Sequence, residues 1–219
     1  MEDMRKRTVE LLTGHGALRF GDFTLKSGRK SPYFINLGDI ADGSGLAGLG
    51  EILAHKISRD IGFDFFDVLF GPAYKGIPLA SVTSAAMFSI YRVSKGFAYD
   101  RKEKKAHGEG GNFIGTSLTG TSRRVLLIDD VITDGGTKID TIRLIEGETA
   151  SKVVAILTVV DRMEQTEDGT LFSSIIGKQT GIPVHSVISL SDIVAHIAEH
   201  GPQSLGIGAE AWDELRKRA

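Results

Sequence analysis

The sequence predicts an α/β fold built on an open, mostly parallel sheet that is flanked by helices. Two runs, residues 125–128 and 153–160, are continuously apolar, as is typical of parallel strands that are covered on both faces. Such runs alternate along the chain with segments of helical periodicity. Ligands of such sheets gather at the carboxyl ends of the strands, so the functional residues are expected there.

Length and composition favour a single domain over residues 1–219, with small appendages. Of the 219 residues, 41% are hydrophobic and 25% are charged, and no Pro/Ser-rich linker or sustained charge run divides the chain. The longest apolar runs are far shorter than the ~20 residues of a membrane helix, so a soluble protein is expected. The charged N-terminus lacks the pattern of a secretory signal.

Charge and cysteine content exclude several classes of protein. A net charge of −2 at pH 7 is not that of a nucleic-acid-binding protein. The absence of cysteine excludes disulfides and thiolate chemistry, and the cytoplasm is the expected compartment. The histidines are interpreted as scattered, without pairs four residues apart among carboxylates, so no zinc site is expected. Residues 43–48 (GSGLAG) match the spacing of a dinucleotide fingerprint, but no buried strand precedes them, so a nicotinamide site is not expected.

The first half of the chain is predicted to begin with a short helix and two strands. Val9, Leu11 and Leu12 have helical spacing, and glycines follow them. Two strands are predicted between residues 20 and 37, on either side of a basic turn, residues 26–32 (KSGRKSP). The elements expected up to residue 93 are a helix at 4–12, these two strands, a helix at 46–61, a strand at 68–70, a helix at 77–87 and a strand at 89–93.

The second half is predicted to continue the alternation of strands and helices. Its elements are a strand at 124–129, a helix at 137–145, a strand at 152–160, a helix at 171–180, a strand at 184–188, a helix at 192–200 and an amphipathic helix at 209–218.

The stretch most informative about chemistry is residues 123–138 (RRVLLIDDVITDGGTK), in which a buried strand ends in two carboxylates before a glycine turn and a helix. Gly135 and Gly136 allow positive φ and close approach of a ligand, and the helix presents the positive end of its dipole. An isolated Asp-Asp or Gly-Gly would more simply cap a helix or form a turn. The complete order predicts a phosphate cradle instead.

The acid pair adds a second requirement. Asp129 and Asp130 cannot both stay ionised at the edge of a core without a cation or several hydrogen-bond donors. Sugar hydroxyls and a Mg²⁺-bound substrate would meet that need, and a negative charge would stabilise a cationic sugar ring.

This stretch resembles the phosphoribosyl pyrophosphate (PRPP) motif of the type I phosphoribosyltransferases. Further segments resemble the orotate phosphoribosyltransferase family in family order: residues 23–34 (FTLKSGRKSPYF), 71–78 (GPAYKGIP), 101–111 (RKEKKAHGEGG) and 161–162 (DR). The resemblance implies the type I phosphoribosyltransferase fold with a small N-terminal hood from about residues 1–40, together with the C-terminal segment. It also implies a Mg²⁺-dependent homodimer that converts PRPP and orotate to orotidine 5′-monophosphate (OMP) and pyrophosphate.

The resemblance assigns roles residue by residue. The ribose 5-phosphate site corresponds to Asp129, Asp130, Val131, Ile132, Thr133, Asp134, Gly135, Gly136 and Thr137, with the acid pair facing the ribose hydroxyls. Pyrophosphate-binding positions correspond to Lys26, Tyr74, Lys75, Arg101, Lys105 and His107, and Lys102 is expected to reach the site of the partner subunit. The catalytic set is Lys26, Arg101, Lys102, Lys105, His107, Asp129 and Asp130. Orotate recognition falls on Phe34, Ile35, Thr133 and Arg162, whose guanidinium suits a carboxylate.

Two positions depart from the family pattern. Ile35 stands where many members have a second aromatic residue, which puts stacking there in doubt. Asp134 stands where a small uncharged residue is common, and a carboxylate beside a phosphate is unfavourable unless it turns back to the N–H groups of the loop.

Two alternative functions stay open from the sequence. One is a phosphoribosyltransferase acting on a purine or another pyrimidine base, which the hood and Arg162 can discriminate but the phosphate loop cannot. The other is a non-catalytic regulator of the same fold that senses nucleotides or binds RNA. The intact cationic loop at residues 101–107 argues against a regulator, because a sensor has no leaving pyrophosphate to enclose.

Overall fold

The computed structural model describes residues 2–24, 28, 30–103, 111–133 and 135–219. Within these ranges the helices and strands follow one another along the chain in an α/β order. They are α1 (Glu2–Gly14), β1 (Leu18–Thr24), β2 (Lys30–Ile35), α2 (Gly43–Asp60), β3 (Val68–Phe70), α3 (Gly76–Tyr91), β4 (Gly96–Asp100), β5 (Phe113–Gly115), β6 (Arg124–Ile132), α4 (Gly136–Glu148), β7 (Lys152–Asp161), α5 (Phe172–Thr180), β8 (Val184–Ser189), α6 (Leu190–His200) and α7 (Ala209–Arg218).

In the described part of the chain, the main sheet has six strands in the order β5-β4-β3-β6-β7-β8. All neighbouring pairs are parallel except β4 and β5, which are antiparallel. This confirms the predicted open, mostly parallel sheet. Strand β6 lies between β3 and β7, so the carboxyl ends of these strands meet at one edge.

Hydrophobic cores lie on both faces of the sheet, which explains why the central strands are continuously apolar. Leu126 and Ile128 of β6 join one core, with side chains from α1, α2, α3, α6 and α7. Val125 and Leu127 join the other core, with side chains from α4 and α5. Alternate residues of one strand therefore pack against different helical layers.

A two-stranded hairpin, β1 and β2, lies outside the main sheet. Tyr33 and Ile35 of β2 are buried in the same core as Leu215 of α7. Arg218 of α7 donates from Nη2 to the carbonyl of Lys30 at 2.9 Å. The hairpin and the C-terminal helix therefore pack together, in the region where the sequence predicts the hood.

The strand predicted at residues 89–93 is wrong. Helix α3 continues through Tyr91 and ends at Arg92, whose φ is 58° and whose N–H donates to the carbonyls of Met87 and Phe88. Residues 89–93 have the apolar pattern of a strand because Tyr91, at the end of the helix, and Val93, beyond it, both pack against the core. The true strand is β4 at Gly96–Asp100, and neither it nor the short edge strand β5 was predicted. The other predicted elements are confirmed with small shifts of their ends.

No helix in the described part of the chain is both long and apolar enough to cross a membrane.

Candidate active site

The two carboxylates of the acid pair lie near the carboxyl end of β6 and are both buried. Oδ1 of Asp129 accepts from the backbone N–H of Asp130 at 2.9 Å, and Oδ1 of Asp130 accepts from Val131 N–H at 2.8 Å. Each second oxygen pairs with a lysine: Asp129 with Lys138 at 2.5 Å, and Asp130 with Lys75 at 3.0 Å. The acid pair is therefore held by backbone donors and by two cations.

The environments of the two acid–lysine pairs differ. Lys138 is only 6% exposed, whereas the side chain of Lys75 is 49% exposed. Burial raises the pKa of Asp129 above its ordinary value, the charge of Lys138 opposes that rise, and the charge of Asp130 adds to it. Lys75 is therefore the solvent-facing member of the cluster.

The glycine loop after β6 leads directly into helix α4. Gly135 has a φ of 77°, which an L side chain rarely adopts, and a Cβ there would collide with the side chain of Ile176. Ile132 is buried and anchors the loop, while Thr133 is half-buried and Thr137 is exposed. Hydroxyls and helix N–H groups at this end suit an anionic ligand. Asp134 lies outside the described residues.

A second loop approaches the acid pair from the end of β3. A Cβ on Gly76 would lie 2.9 Å from the carbonyl oxygen of Ile128 in β6, so glycine permits this close approach. The loop contains a cis peptide between Ala73 and Tyr74, and the Tyr74 side chain is 72% exposed. The close approach of Gly76 to β6 brings Nζ of the neighbouring Lys75 within 3.0 Å of Oδ2 of Asp130.

Asp100, at the end of β4, bonds to this second loop and directly precedes the cationic loop that begins at Arg101. Its Oδ1 accepts from the N–H of Ala73 at 2.6 Å, and the side chain is buried. The next residue, Arg101, donates from its backbone N–H to the carbonyl of Asn112 at 2.7 Å. Lys102 is exposed. Lys26, Lys105 and His107, three of the predicted pyrophosphate ligands, lie outside the described residues.

Arg162 follows the end of β7, beside β6, and is buried. Its Nε donates to Oε1 of Glu164 at 2.9 Å, and its guanidinium lies 4.8 Å from the centroid of the Tyr33 ring. Nη2 is buried and has no hydrogen-bond partner among the described residues. A cavity of about 340 Å³ is lined by Tyr33, Arg162, Glu164, Leu190 and Lys217, among other residues. A buried guanidinium N–H without a partner, in a residue that lines such a space, suits an anionic group.

The two hairpin residues expected to contact orotate face opposite sides of β2. Phe34 is half-buried, with its ring 5.6 Å from that of Phe23 and 5.3 Å from the guanidinium of Arg19. Ile35 is buried in the main core. Its side chain is therefore not placed to stack on a base.

Sequence reasoning missed three residues of this region: Lys138, Asp100 and Glu164. The position of Lys138 in the sequence could have indicated its role. A cation in the first turn of a helix is unfavourable beside the positive end of the helix dipole, so an anionic partner is expected for it. Asp100 had no such signal, since the strand that carries it was not predicted.

The statement about histidine spacing is also wrong. His196 and His200 lie one turn apart on α6 with their rings stacked at 4.3 Å. The described residues nevertheless contain no group of three His, Cys, Asp or Glu side chains that could hold a metal ion.

Comparisons with known proteins agree with the geometry. The family model described as phosphoribosyl transferase domain matches residues 37–177. Orotate phosphoribosyltransferase of Bifidobacterium longum strain NCC 2705 is 44% identical over 197 residues, covering 88% of this chain and 85% of the relative. The enzyme of the same name from Schizosaccharomyces pombe is 45% identical over 194 residues, covering 88% and 86%.

Solved structures give the same result. The crystal structure of orotate phosphoribosyltransferase from Francisella tularensis has a TM-score of 0.78 and 33% identity, covering 95% of both chains. The chain belongs to the phosphoribosyl transferase family and, within it, to the orotate phosphoribosyltransferases.

Proposed function

We propose that the protein transfers the 5-phosphoribosyl group from PRPP to orotate, giving OMP and pyrophosphate in de novo pyrimidine (UMP) biosynthesis. The observation that carries this proposal is the arrangement of Lys75 after β3, Asp130 near the carboxyl end of β6 and Arg162 after β7, three adjacent strands whose carboxyl ends share one edge. The names of the relatives support the same reaction. A phosphate loop, an acid pair and a carboxylate-binding arginine are what these two substrates require.

The ribose 5-phosphate is proposed to bind the loop 131–137 at the N-terminus of α4. Backbone N–H groups and the hydroxyls of Thr133 and Thr137 would donate to its oxygens, and the helix dipole favours its charge. The ribose then lies against Asp129 and Asp130. Their negative charge stabilises the cationic character that develops on the sugar as its bond to pyrophosphate breaks.

The reaction forms one bond and breaks another at the anomeric carbon. A ring nitrogen of orotate donates its electron pair to that carbon, and the pyrophosphate oxygen leaves with the electrons of the broken C–O bond. The proton lost by the nitrogen passes to the departing diphosphate. The proposed ligands of this leaving group are the hydroxyl of Tyr74 and the basic side chains of Lys26, Lys75, Arg101, Lys105 and His107. Closure of the cationic segment would exclude water during this step.

Mg²⁺ is proposed to enter with the substrate. The outer oxygens of Asp129 and Asp130 already pair with lysines, and Mg²⁺ commonly keeps substrate phosphates and water as ligands. This donor set suits a cation carried by the pyrophosphate and not a dedicated protein cage. Bound there, the ion would neutralise charge on the leaving group.

Arg162 is proposed to bind the carboxylate of orotate through its buried Nη2 edge. This group is the feature that separates orotate from uracil or a purine, because an unpaired buried donor penalises a base without an anionic partner. Phe34, the backbone of Ile35 and Thr133 complete the proposed base site.

A homodimer, with Lys102 reaching the partner's site, is part of the proposal. Helix α3 supports it, because Phe88 and Ile90 are large apolar side chains that remain exposed at its end. Lys102 is exposed and could reach a neighbouring subunit. A cytoplasmic location is also proposed, and cell fractionation tests it.

A pyrophosphate-release assay with PRPP and Mg²⁺ tests the function directly. Orotate, uracil, adenine and hypoxanthine are supplied in parallel, and OMP is identified by mass. The proposal expects turnover with orotate roughly ten-thousandfold faster than with the others, the scale on which a site rejects a base that leaves its polar groups unpaired. Faster turnover of another base would reassign the substrate, and PRPP binding without any nucleotide formation would indicate a regulator.

A further inference from the structure

Lys138 is a buried cation in the first turn of α4. Its side chain is 6–7% exposed, and its Nζ lies 2.5 Å from both Oδ2 of Asp129 and the carbonyl oxygen of Val131. Lysine is almost never buried to this degree unless its charge is paired. It also opposes the positive end of the helix dipole, so its placement costs stability that Asp129 must offset.

The surroundings of Asp129 supply no other ion-pair partner among the described residues. Its partner across the ladder in β7 is Thr158, whose hydroxyl bonds to Ser186 of β8 at 2.9 Å. The charged neighbours are Lys138 from α4 and Asp130 from its own strand. Without Lys138, Asp129 would be a buried carboxylate beside the charge of Asp130 with no cation of its own, and both conditions raise its pKa.

The remaining contact of Asp129 links it to the residue beside it. Because Oδ1 accepts from the N–H of Asp130, a fixed Asp129 also fixes the backbone from which the Asp130 side chain projects. Lys138 further holds the carbonyl of Val131, the first residue of the phosphate loop. One ammonium group thus joins the acid pair to the loop.

We propose that Lys138 is a positioning residue for phosphoribosyl transfer, which keeps Asp129 charged and fixed beneath the ribose while Asp130 and the half-exposed Lys75 meet the substrate. The proposal rests on the assignment of this site to PRPP. The two carboxylates then have different roles. Asp129 is held by Lys138 of α4, whereas Asp130 pairs with Lys75, whose side chain is half exposed.

The test compares Lys138→Met, which removes the charge at similar length, with Lys138→Arg, which keeps it. PRPP affinity is measured by calorimetry, and kcat/KM for PRPP by initial rates, from about pH 5.5 to about pH 8.5, a range that spans raised carboxyl pKa values. Lys152→Met is the matched control, because Lys152 pairs with Glu146 at 3.0 Å at the opposite end of β7 and is largely exposed.

Lys138→Met is expected to move the acid limb of both profiles to higher pH. Removing the cation raises the pKa of Asp129 further, so each unit of rise weakens PRPP binding about tenfold below that pKa and little above it. Lys138→Arg should restore most of the lost affinity, and Lys152→Met should match the wild type. An equal loss at every pH, or no loss, would overturn the positioning role.

A second measurement does not depend on the folding of Lys138→Met. In the wild-type protein, ¹³C NMR of the aspartate carboxyl groups, with Asp129 assigned from the Asp129→Asn spectrum, should show Asp129 ionised at neutral pH. A protonated Asp129 there would refute the inference even though PRPP turnover continued. Absence of PRPP binding and of nucleotide formation in the wild type would instead refute the proposed function.

Discussion

Nε of Arg162 donates to Oε1 of Glu164 at 2.9 Å, between side chains that are 6% and 18% exposed. This contact fixes one edge of the guanidinium, while Tyr33 packs against its face. The Nη2 group that remains is buried without a hydrogen-bond partner among the described residues. Glu164 therefore fixes the orientation of the Arg162 guanidinium, whose Nη2 group is the donor proposed for the carboxylate of orotate.

Glu164→Leu removes the acceptor and should raise KM for orotate while changing kcat and KM for PRPP little. A hydrogen bond to a charged group contributes about 1.5–3 kcal/mol, so a rise of roughly tenfold or more is expected. Steady-state kinetics with each substrate varied checks this. Glu167→Leu is the control, because Glu167 is exposed in the same loop. Equal effects on both substrates would show that Glu164 supports the fold and not the base site.

Gly135→Ala should weaken PRPP binding and destabilise the protein. Gly120→Ala is the matched control, because the two glycines have φ values of 77° and 76° but only Gly135 has a neighbour that a Cβ would strike. Both variants should lose about 1–2 kcal/mol from the left-handed conformation. Gly135→Ala should lose about 1–3 kcal/mol more through collision with Ile176. Denaturant unfolding and PRPP calorimetry distinguish them, and equal losses in the two variants would contradict the packing argument.

The ion pair between Asp67 and Arg124, at the amino ends of β3 and β6, predicts a pH-dependent contribution to stability. Hydrogen bonds from Arg124 lower the pKa of Asp67 to about 2. Because this value lies below the unfolded one, the contribution is complete above about pH 4 and is lost as the pH falls toward about 2.

Asp67→Asn should therefore lower the melting temperature at neutral pH by no more than a few degrees, since the Arg124 side chain is half exposed and the pair is screened. The difference from the wild type should vanish as the pH falls through the same interval. Asp140→Asn serves as control, because Asp140 and Arg143 are both more than three-quarters exposed. A difference that persists in acid would show that the charge of Asp67 is not responsible.

Mixed dimers test the proposed role of Lys102. Lys102→Ala and Asp130→Asn subunits should each be nearly inactive alone. After random reassembly, half of the dimers are mixed and hold one complete site, so about a quarter of the wild-type activity should return. Initial rates before and after mixing measure this. No recovery from a mixture that forms dimers would place Lys102 outside the partner's site.

The parts of the fold that the sequence predicted are those whose signals are local. Strands β6 and β7 are recognisable because both faces of each are buried, and the loop after β6 is recognisable because its glycines and acids follow one another directly. Strand β4 was missed because its residues Gly96 and Asp100 weaken the apolar pattern, and residues 89–93 resemble a strand more strongly than β4 does. Strand β5 has three residues, and its pairing with β4 defines it.

The sequence predicted the part of the site whose residues are neighbours along the chain. Asp129, Asp130 and the glycine loop lie within one segment, and Lys75 was expected from the resemblance. The partnerships of Lys138 with Asp129 and of Glu164 with Arg162 depend on how α4 and the segment after β7 turn back toward the sheet. Side-chain direction of this kind is set by tertiary packing, which spacing along the chain does not reveal.

The most direct test of the account is a crystal structure of the protein with PRPP and Mg²⁺. The account predicts the 5-phosphate within about 3 Å of backbone N–H groups of loop 131–137, as hydrogen bonding requires. It also predicts the ribose hydroxyls against the acid pair and the diphosphate toward Lys75. An empty loop in crystals soaked at saturating PRPP, or a bound sugar from which Asp129 and Asp130 both turn away, would contradict it.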